Sequence, residues 1–302
     1  MNILEDIKQA FRQPNNTLKQ LILINIIVFV VLIVLRTILV LGSNAGIYNT
    51  LMSFVALHSS PMTFLTRPWT LITYFFTHEG FLHIIFNMLN LYWFGQLIRE
   101  YLGDKKLLSL YVYGGIAGGL LYLLSYNLIP FFAARAFDSV MIGASASVLA
   151  IVVGAATLLP NFTFNLILIG PVRIKYIALF LVILSISGAV GDNAGGNIAH
   201  LGGAVLGWIF VKQLQAGRDL GRPLHAFLDF ITNLFTRRPH LKVTHRRSKV
   251  AVANGARGVK ANAAGKPSQT EIDLILDKIS SSGYESLSKE EKQKLFMASQ
   301  KD

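Results

Sequence analysis

Residues 197–214 read NIAHLGGAVLGWIFVKQL, and the reading of this stretch decides the fold. It is apolar over about the length that crosses a bilayer's hydrocarbon core, yet it carries His200 near one end, followed by three glycines. His200, Gly203 and Gly207 fall on one helical face. Gly203 with Gly207 makes a small-xxx-small pair that lets a neighbouring backbone come close. Working outward, five more apolar blocks of similar length occupy roughly residues 21–41, 69–97, 107–132, 140–159 and 172–190. The expected fold is all-α: a bundle of six transmembrane helices over residues 21–215.

Composition agrees. The chain has 302 residues, of which 53% are hydrophobic and only 15% charged, against about 25% charged in soluble domains. Mean hydropathy is +0.50. A soluble enzyme, a disordered chain and a collagen are thereby excluded. There is no cysteine, which excludes disulfide frameworks, zinc–thiolate sites and iron–sulfur clusters.

Charge gives the orientation. Lys8, Arg12 and Lys19 precede the first block; Arg99, Lys105 and Lys106 lie between the second and third; Arg173 and Lys175 follow the fourth. The opposite loops carry only Arg67, Glu79, Arg135, Asp138 and Asp192. By the positive-inside rule both termini are cytoplasmic, and the expected location is a bacterial cell (inner) membrane.

The ends follow their own patterns. Residues 1–20 form a cytoplasmic segment with Leu4, Ile7 and Phe11 at helical spacing. Residues 216–238 repeat that pattern with Leu224, Phe227, Leu228, Ile231, Leu234 and Phe235, flanked by Arg222, Arg237 and Arg238, and suit a helix lying in the headgroup region. Residues 239–267 are expected to be a basic disordered linker. From Arg237 to Lys266 there are nine Lys or Arg and no acid, so the formal net charge of +12 points to anionic lipid headgroups rather than nucleic acid. Residues 268–302 read as a small helical hairpin. Ile272, Ile275, Leu276 and Ile279 make one stripe, Ser281-Ser282-Gly283 stops it, and Ser288 with Glu291 opens a second helix as a capping box.

Polar side chains at membrane depth are costly and mark function. The second block offers His78, His83, Asn87 and Asn90; the fourth offers Gly143-Ala144-Ser145-Ala146-Ser147; the sixth offers His200. His83 and Asn87, four apart, share a face. Given the topology, Ser145, His200, His83 and Asn87 lie at comparable depth on the outer side, with His78 near the outer end of its span. A serine beside a histidine is the minimal activated nucleophile. His83, Asn87 and the Ser145 N–H are candidate donors to an oxyanion, and Gly143 supplies the tight backbone that exposes the serine. No acid stands among the spans as a third member, and Ser147 competes with Ser145 as the nucleophile.

The pattern His78-x4-His83-x3-Asn87, Gly143-Ala144-Ser145 and Ala199-His200-x2-Gly203-x3-Gly207 resembles the rhomboid intramembrane serine proteases over roughly residues 60–215. The resemblance implies a six-span core with Ser145 as nucleophile and His200 as general base, His83 and Asn87 beside the oxyanion, and no metal or cofactor. The implied substrates are the transmembrane segments of other proteins. It also implies a first outer loop, roughly 43–68, lying against the membrane and a mobile cap at 188–197. Three departures stand out. Trp69 is followed by Thr70 where the family often has Trp-Arg, Arg99-Glu100 shifts the acid after the second span, and Ala146 replaces a common glycine. The alternative is a non-catalytic relative that binds transmembrane helices without cutting them; retention of both Ser145 and His200 argues against it. A small transporter is disfavoured because the two halves show no repeat.

Overall fold

The computed structural model describes residues 3–13, 16–133, 139–166, 169–235 and 269–299. Helix α1 (Ile3–Arg12) leads into α2 (Thr17–Leu41). The Thr17 N–H donates to Asp104 Oδ1 at 2.7 Å, satisfying one of the free donors at the start of α2. Helix α2 is apolar all round, and only Leu18, Leu21, Asn25 and Phe29 are buried. Much of the remainder, Val31 and Ile38 included, is exposed, as lipid contact requires.

The first long connection is ordered by local chemistry. It holds α3 (Ala45–Met52), the short strand β1 (Leu57–His58) and α4 (Pro61–Thr66), where Ser60 caps the Thr63 N–H and Pro61 opens the helix. Arg67 Nη1 donates to both the carbonyl and the hydroxyl of Ser53 at 2.8 Å. Its guanidinium lies 4.2 Å from the centre of the Phe54 ring, and Trp69 Nε1 donates to Phe54 O at 2.9 Å. The loop is therefore anchored in part by an arginine two residues before Trp69.

The apolar blocks and the helices differ at their edges. The second block was expected to be continuous over 69–97. It divides into α5 (Thr70–Thr73), a 3-10 turn at Tyr74–Phe76, and α6 (Phe81–Leu102), because Thr77 and Gly80 are extended. Helix α7 (Asp104–Leu128) stops before Pro130, with Ile129 extended as residues before proline are; the short α8 (Pro130–Ala133) follows. In the fourth block Val140–Met141 forms β2, which pairs antiparallel with β1. Helix α9 (Ser145–Leu158) starts only after Gly143, whose φ of +118° no helix accommodates. A hairpin of β3 (Thr163–Leu166) and β4 (Gly170–Arg173) delays α10 (Ile174–Gly188). The last block is longer than expected, forming α11 (Ala194–Gln215).

Among the described residues, α2, α6, α7 and α11 are long and apolar enough to cross a membrane. Helices α9 and α10 have 14 and 15 residues. The chain is a multi-pass helical membrane protein.

Its centre is a three-helix contact built from small residues. A methyl on Gly203 would lie 2.1 Å from Ala146 O, and one on Gly207 2.1 Å from Ala150 O, so α11 touches the backbone of α9. Helix α7 closes the triangle: Gly114 faces Ala150, and Gly118 faces Ala146 and the Ala199 carbonyl. Close backbone approach through small residues is how helices associate where lipid is as apolar as leucine.

Helix α12 (Arg222–Phe235) falls within the expected interfacial helix; residues 236–238 lie outside the described residues. It is tied to α7. The Leu224 N–H donates to Tyr113 Oη at 3.1 Å, His225 Nε2 lies 3.0 Å from Ser109 Oγ, and Lys106 pairs with Asp219. Phe227, Phe230 and Leu234 are exposed. The expected basic linker, 239–267, lies outside the described residues.

The C-terminal unit is a helical hairpin, α13 (Gln269–Ser282) and α14 (Lys289–Ser299), joined through a 3-10 turn at Tyr284–Ser286. The capping box forms as read: the Glu291 N–H donates to Ser288 Oγ at 3.2 Å and the Ser288 N–H to Glu291 Oε2 at 2.7 Å. Ile275 and Leu287 are buried, whereas Leu276, expected in the stripe, is exposed. Lys278–Glu291 and Lys294–Glu271 ion pairs, each at 2.9 Å, link the two helices.

Candidate functional site

Ser145 is the first residue of α9, and Gly143 at positive φ turns the chain into it. The first N–H of α9 to find a backbone partner in its own turn is that of Val148, which donates to Ala144 O at 2.9 Å. The N–H groups just before it belong to the donor-rich end of the helix. His200 projects from the second turn of α11, and the Gly203–Ala146 contact one turn further along holds the two helices at backbone distance. The result is Ser145 Oγ at 2.6 Å from His200 Nε2. Two residues separated by 54 others in the chain are thus in hydrogen-bond contact.

The other ring nitrogen is also engaged. His200 Nδ1 lies 3.1 Å from Ser185 Oγ on α10, and the Ser185 hydroxyl donates to Leu181 O at 2.9 Å. Sequence reading passed over Ser185, since a lone serine in an apolar helix most often bonds back to a carbonyl four residues earlier. It does so here and also meets the histidine. The signal lay in its register: Ile174, Ala178 and Ser185 are the buried residues of α10, so the serine occupies the inward face.

His83, at the start of α6, stacks over Gly143. A methyl there would lie 2.6 Å from His83 Cε1 and 2.9 Å from Nε2, so glycine is required for space as well as for φ. The Asn87 Nδ2 amide donates to His83 O at 3.0 Å and approaches His78 Nε2 at 3.4 Å. His78 differs from the reading. It precedes α6 instead of lying within the outer end of a span, it is buried, and its Nε2 accepts from the Ala144 N–H at 3.3 Å. Two donors converge on Nε2, so the ring proton sits on Nδ1. His78 thereby braces the turn that presents Ser145, away from the cavity.

Ser147 is fully buried and directed at α7. Its Oγ would lie 2.7 Å from a methyl on Gly115 and has no hydrogen-bond partner. It is not placed beside His200. Ala146 is likewise buried in the contact with Gly118 and Gly203, so the change from glycine is felt between helices and not in the cavity.

Ser145, His200, His83, Asn87 and Ser185 line one cavity of about 490 Å³, a volume typical of ligand sites. Asn90, one of the polar residues offered by the second block, lines it too, with Asn193 and Asn197 as further polar lining, and Phe86, Val148, Leu149, Val152, Leu181 and Leu184 supply an apolar wall. The expected cap at 188–197 divides between a short turn and the first turn of α11. Asn197 Nδ2 donates to Gly188 O at 3.1 Å and to Asn193 O at 2.9 Å, bridging the two. Among the described residues no cluster of His, Asp and Glu could hold a metal ion.

Fold and site together define a helical membrane protein with a paired serine and histidine in an internal cavity. Residues 65–215 match the Rhomboid domain, which is half of the chain, and the chain belongs to the rhomboid family. Residues 260–301 match a family of unknown function, DUF6576. Among curated proteins the chain is similar to RHOMBOID-like protein 12, mitochondrial, of Arabidopsis thaliana, 32% identical over 50% of this chain and 48% of that one. It is similar to Rhomboid-like protein 16, chloroplastic, of the same plant, 33% identical over 53% of each chain. It is also similar to a putative rhomboid protease of Bacillus subtilis (strain 168), 27% identical over 49% of this chain and 69% of that one. The chain thus spans about half the length of the plant relatives it matches.

Proposed function

We propose that the protein is an intramembrane serine endopeptidase that cleaves transmembrane segments of other membrane proteins. The observation that carries this reading is the 2.6 Å contact between Ser145 Oγ and His200 Nε2 inside a cavity. In the proposed reaction Oγ attacks a peptide carbonyl carbon while its proton passes to Nε2. The oxyanion is stabilised by the Ser145 N–H at the start of α9 and by His83. The C–N bond then breaks and the amine leaves with the proton from Nε2. Water attacks the acyl-enzyme, gives a proton to Nε2, and the C–O bond breaks as Oγ takes that proton back. No metal or cofactor enters this scheme. Asn87 takes a supporting role, since its amide hydrogens are directed at His83 O and His78.

Substrates in this reading are helices with small or helix-breaking residues at the cut, because a helical amide is hydrogen-bonded and shielded until it unwinds. Helices α9 and α10 complete a six-span bundle with both termini on the side of the positive loops. Although 14 residues rise only about 21 Å, α9 is enclosed by α6, α7 and α11 and needs no lipid-facing span of its own. Relatives named as mitochondrial or chloroplastic do not fit the bacterial cell membrane expected from sequence. The membrane proposed is therefore defined by orientation alone. Helix α12 and the basic segment after it are proposed to bind anionic lipid headgroups, with no role in nucleic-acid binding.

The test uses purified protein in liposomes with a fluorophosphonate probe and a panel of transmembrane substrates. Wild type is expected to be labelled and to cleave, and Ser145→Ala and His200→Ala to do neither while remaining folded. Cleavage undiminished in both variants would overturn the assignment. A folded wild type that binds the substrates without labelling or cleavage would favour the helix-binding alternative.

A further inference from the structure

We propose that Ser185 is a positioning residue for His200: it accepts the Nδ1 proton and so holds Nε2 unprotonated, facing Ser145. The inference rests on the reading of Ser145 and His200 given above, and it assigns a role to a residue on a different helix from either.

The argument follows the protons. A neutral imidazole carries one N–H and one acceptor nitrogen. The Ser185 hydroxyl has one hydrogen and two lone pairs, and it faces two neighbours, Leu181 O at 2.9 Å and His200 Nδ1 at 3.1 Å. A carbonyl only accepts, so the Ser185 hydrogen goes to Leu181 O. The lone pairs are then left for His200, which must donate from Nδ1. Nε2 is consequently the acceptor, and the 2.6 Å contact can be satisfied only by the Ser145 hydroxyl donating to it. The chain Ser145 O–H to Nε2, Nδ1–H to Ser185 Oγ, and Ser185 O–H to Leu181 O satisfies every group and runs in one direction. Reversing it would turn the Ser185 hydrogen from Leu181 O to Nδ1, and with Nε2 then protonated the Ser145 hydrogen would lose its acceptor.

Burial makes this specific. Ser185 is buried while its helix neighbours Leu184 and Ile186 are exposed, so its hydroxyl is held on the inward face of α10, against His200. Among the described residues no carboxylate contacts Nδ1, the place where a third member would orient the base in a triad. A serine hydroxyl locked by its own back-bond to Leu181 supplies the orientation without a charge, which suits a site at membrane depth.

The experiment compares wild type with Ser185→Ala, Ser185→Thr and Ser145→Ala in the same detergent or liposome preparation. The first readout is the saturation kinetics of fluorophosphonate labelling. Ser185→Ala is expected to lower the maximal labelling rate about tenfold, the value of roughly one hydrogen bond, with half-saturation unchanged. Ser185→Thr, which keeps the hydroxyl and the back-bond, restores most of the rate. The second readout is the 15N signature of His200: protonated at Nδ1 in wild type and Ser185→Thr, and a mixture of tautomers in Ser185→Ala. An unchanged rate and unchanged tautomer in Ser185→Ala would overturn the proposal, as would a change in half-saturation that threonine does not restore. If wild type is not labelled, the protease reading fails, and the nitrogen spectra alone decide whether Ser185 sets the tautomer.

Discussion

Replacing Gly203 by alanine tests the idea that helix packing and the Ser145–His200 contact are one structural feature. The added methyl would stand 2.1 Å from Ala146 O, 2.8 Å from its carbonyl carbon and 3.2 Å from its Cα. All three are backbone atoms of α9, so no side-chain rotation relieves the clash. Ordinary contact begins at about 3.4 Å, and α11 must therefore back away from α9 by about 1.3 Å. Overpacking of this kind costs about 1–3 kcal/mol of stability. The larger effect falls on chemistry: Ala146 follows Ser145 directly and Gly203 lies one turn from His200. A retreat of this size takes the 2.6 Å contact beyond hydrogen-bond range, and a misplacement of about 1 Å can cost about 100-fold in rate. The assay measures fluorophosphonate labelling and substrate cleavage alongside thermal unfolding in detergent. Gly46→Ala serves as the control, because a methyl at Gly46 meets nothing within 4 Å. Gly203→Ala is expected to lose about two orders of magnitude in labelling rate while remaining folded, and Gly46→Ala to match wild type. Combining Gly203→Ala with Ala146→Gly should not restore activity, since the obstacle is backbone. Wild-type labelling and stability in Gly203→Ala would refute the reasoning.

Other outcomes follow from single contacts. Ser147→Ala removes a buried hydroxyl without a partner, so labelling should be unchanged and stability unchanged or raised by up to about 1 kcal/mol; loss of labelling would revive Ser147 as a nucleophile. Arg67→Ala removes two hydrogen bonds to Ser53 and the Phe54 stack and should cost about 1–3 kcal/mol in thermal or denaturant unfolding. Arg67→Lys should recover little of this, because an ammonium cannot stack as a planar guanidinium does. In the connection between α11 and α12, burial raises the Asp219 carboxyl, but Lys106, the Gly221 N–H and Arg222 outweigh it and hold the group below the usual carboxylate range. A depressed folded value means stability present above the unfolded value of about 4 and lost as pH falls through the folded one. Hydrogen exchange across 222–235, corrected for intrinsic rates, should therefore stay level from neutral pH down to about 4 and rise below it. Asp219→Asn should abolish that acid transition, and protection independent of pH down to 3 (roughly a unit below the unfolded value) would count against the link.

What the sequence made legible follows from where the physical constraints lie. The apolar blocks stand out because lipid tolerates little else, and residues 197–214 were readable because the histidine and the glycines occupy one face of one helix. Block edges were less legible. Thr77–Gly80 is a short polar stretch inside a longer apolar block, and Val140–Met141 is itself apolar, so both were read as helix; yet Thr77 and Gly80 are extended and Val140–Met141 pairs with Leu57–His58, a partner more than eighty residues away. His78 was misplaced for the same reason. Its bond to the Ala144 N–H belongs to the fold, and its depth could not be counted along a helix that had not yet begun.

The residues whose roles went unread share a further property: each is individually ordinary. Arg67 is a loop arginine, and Ser185 is a serine in a hydrophobic helix. Each gains a role only through a contact across the fold, Arg67 to Ser53 and Ser185 to His200. By contrast, Ser145, His200, Gly203 and Gly207 announced themselves because the site and the packing draw on the same short motifs. Only glycine at 203 permits α11 to touch Ala146, and only that contact brings the histidine to the serine. A substitution at 203 chosen for stability therefore has no route that spares the site. One at 185 leaves the helix spacing alone, since Ser185 touches the imidazole without setting the distance between α9 and α11. The two positions separate the placement of the base from the orientation of its proton, and variants at each should lower the labelling rate by different amounts and for different reasons.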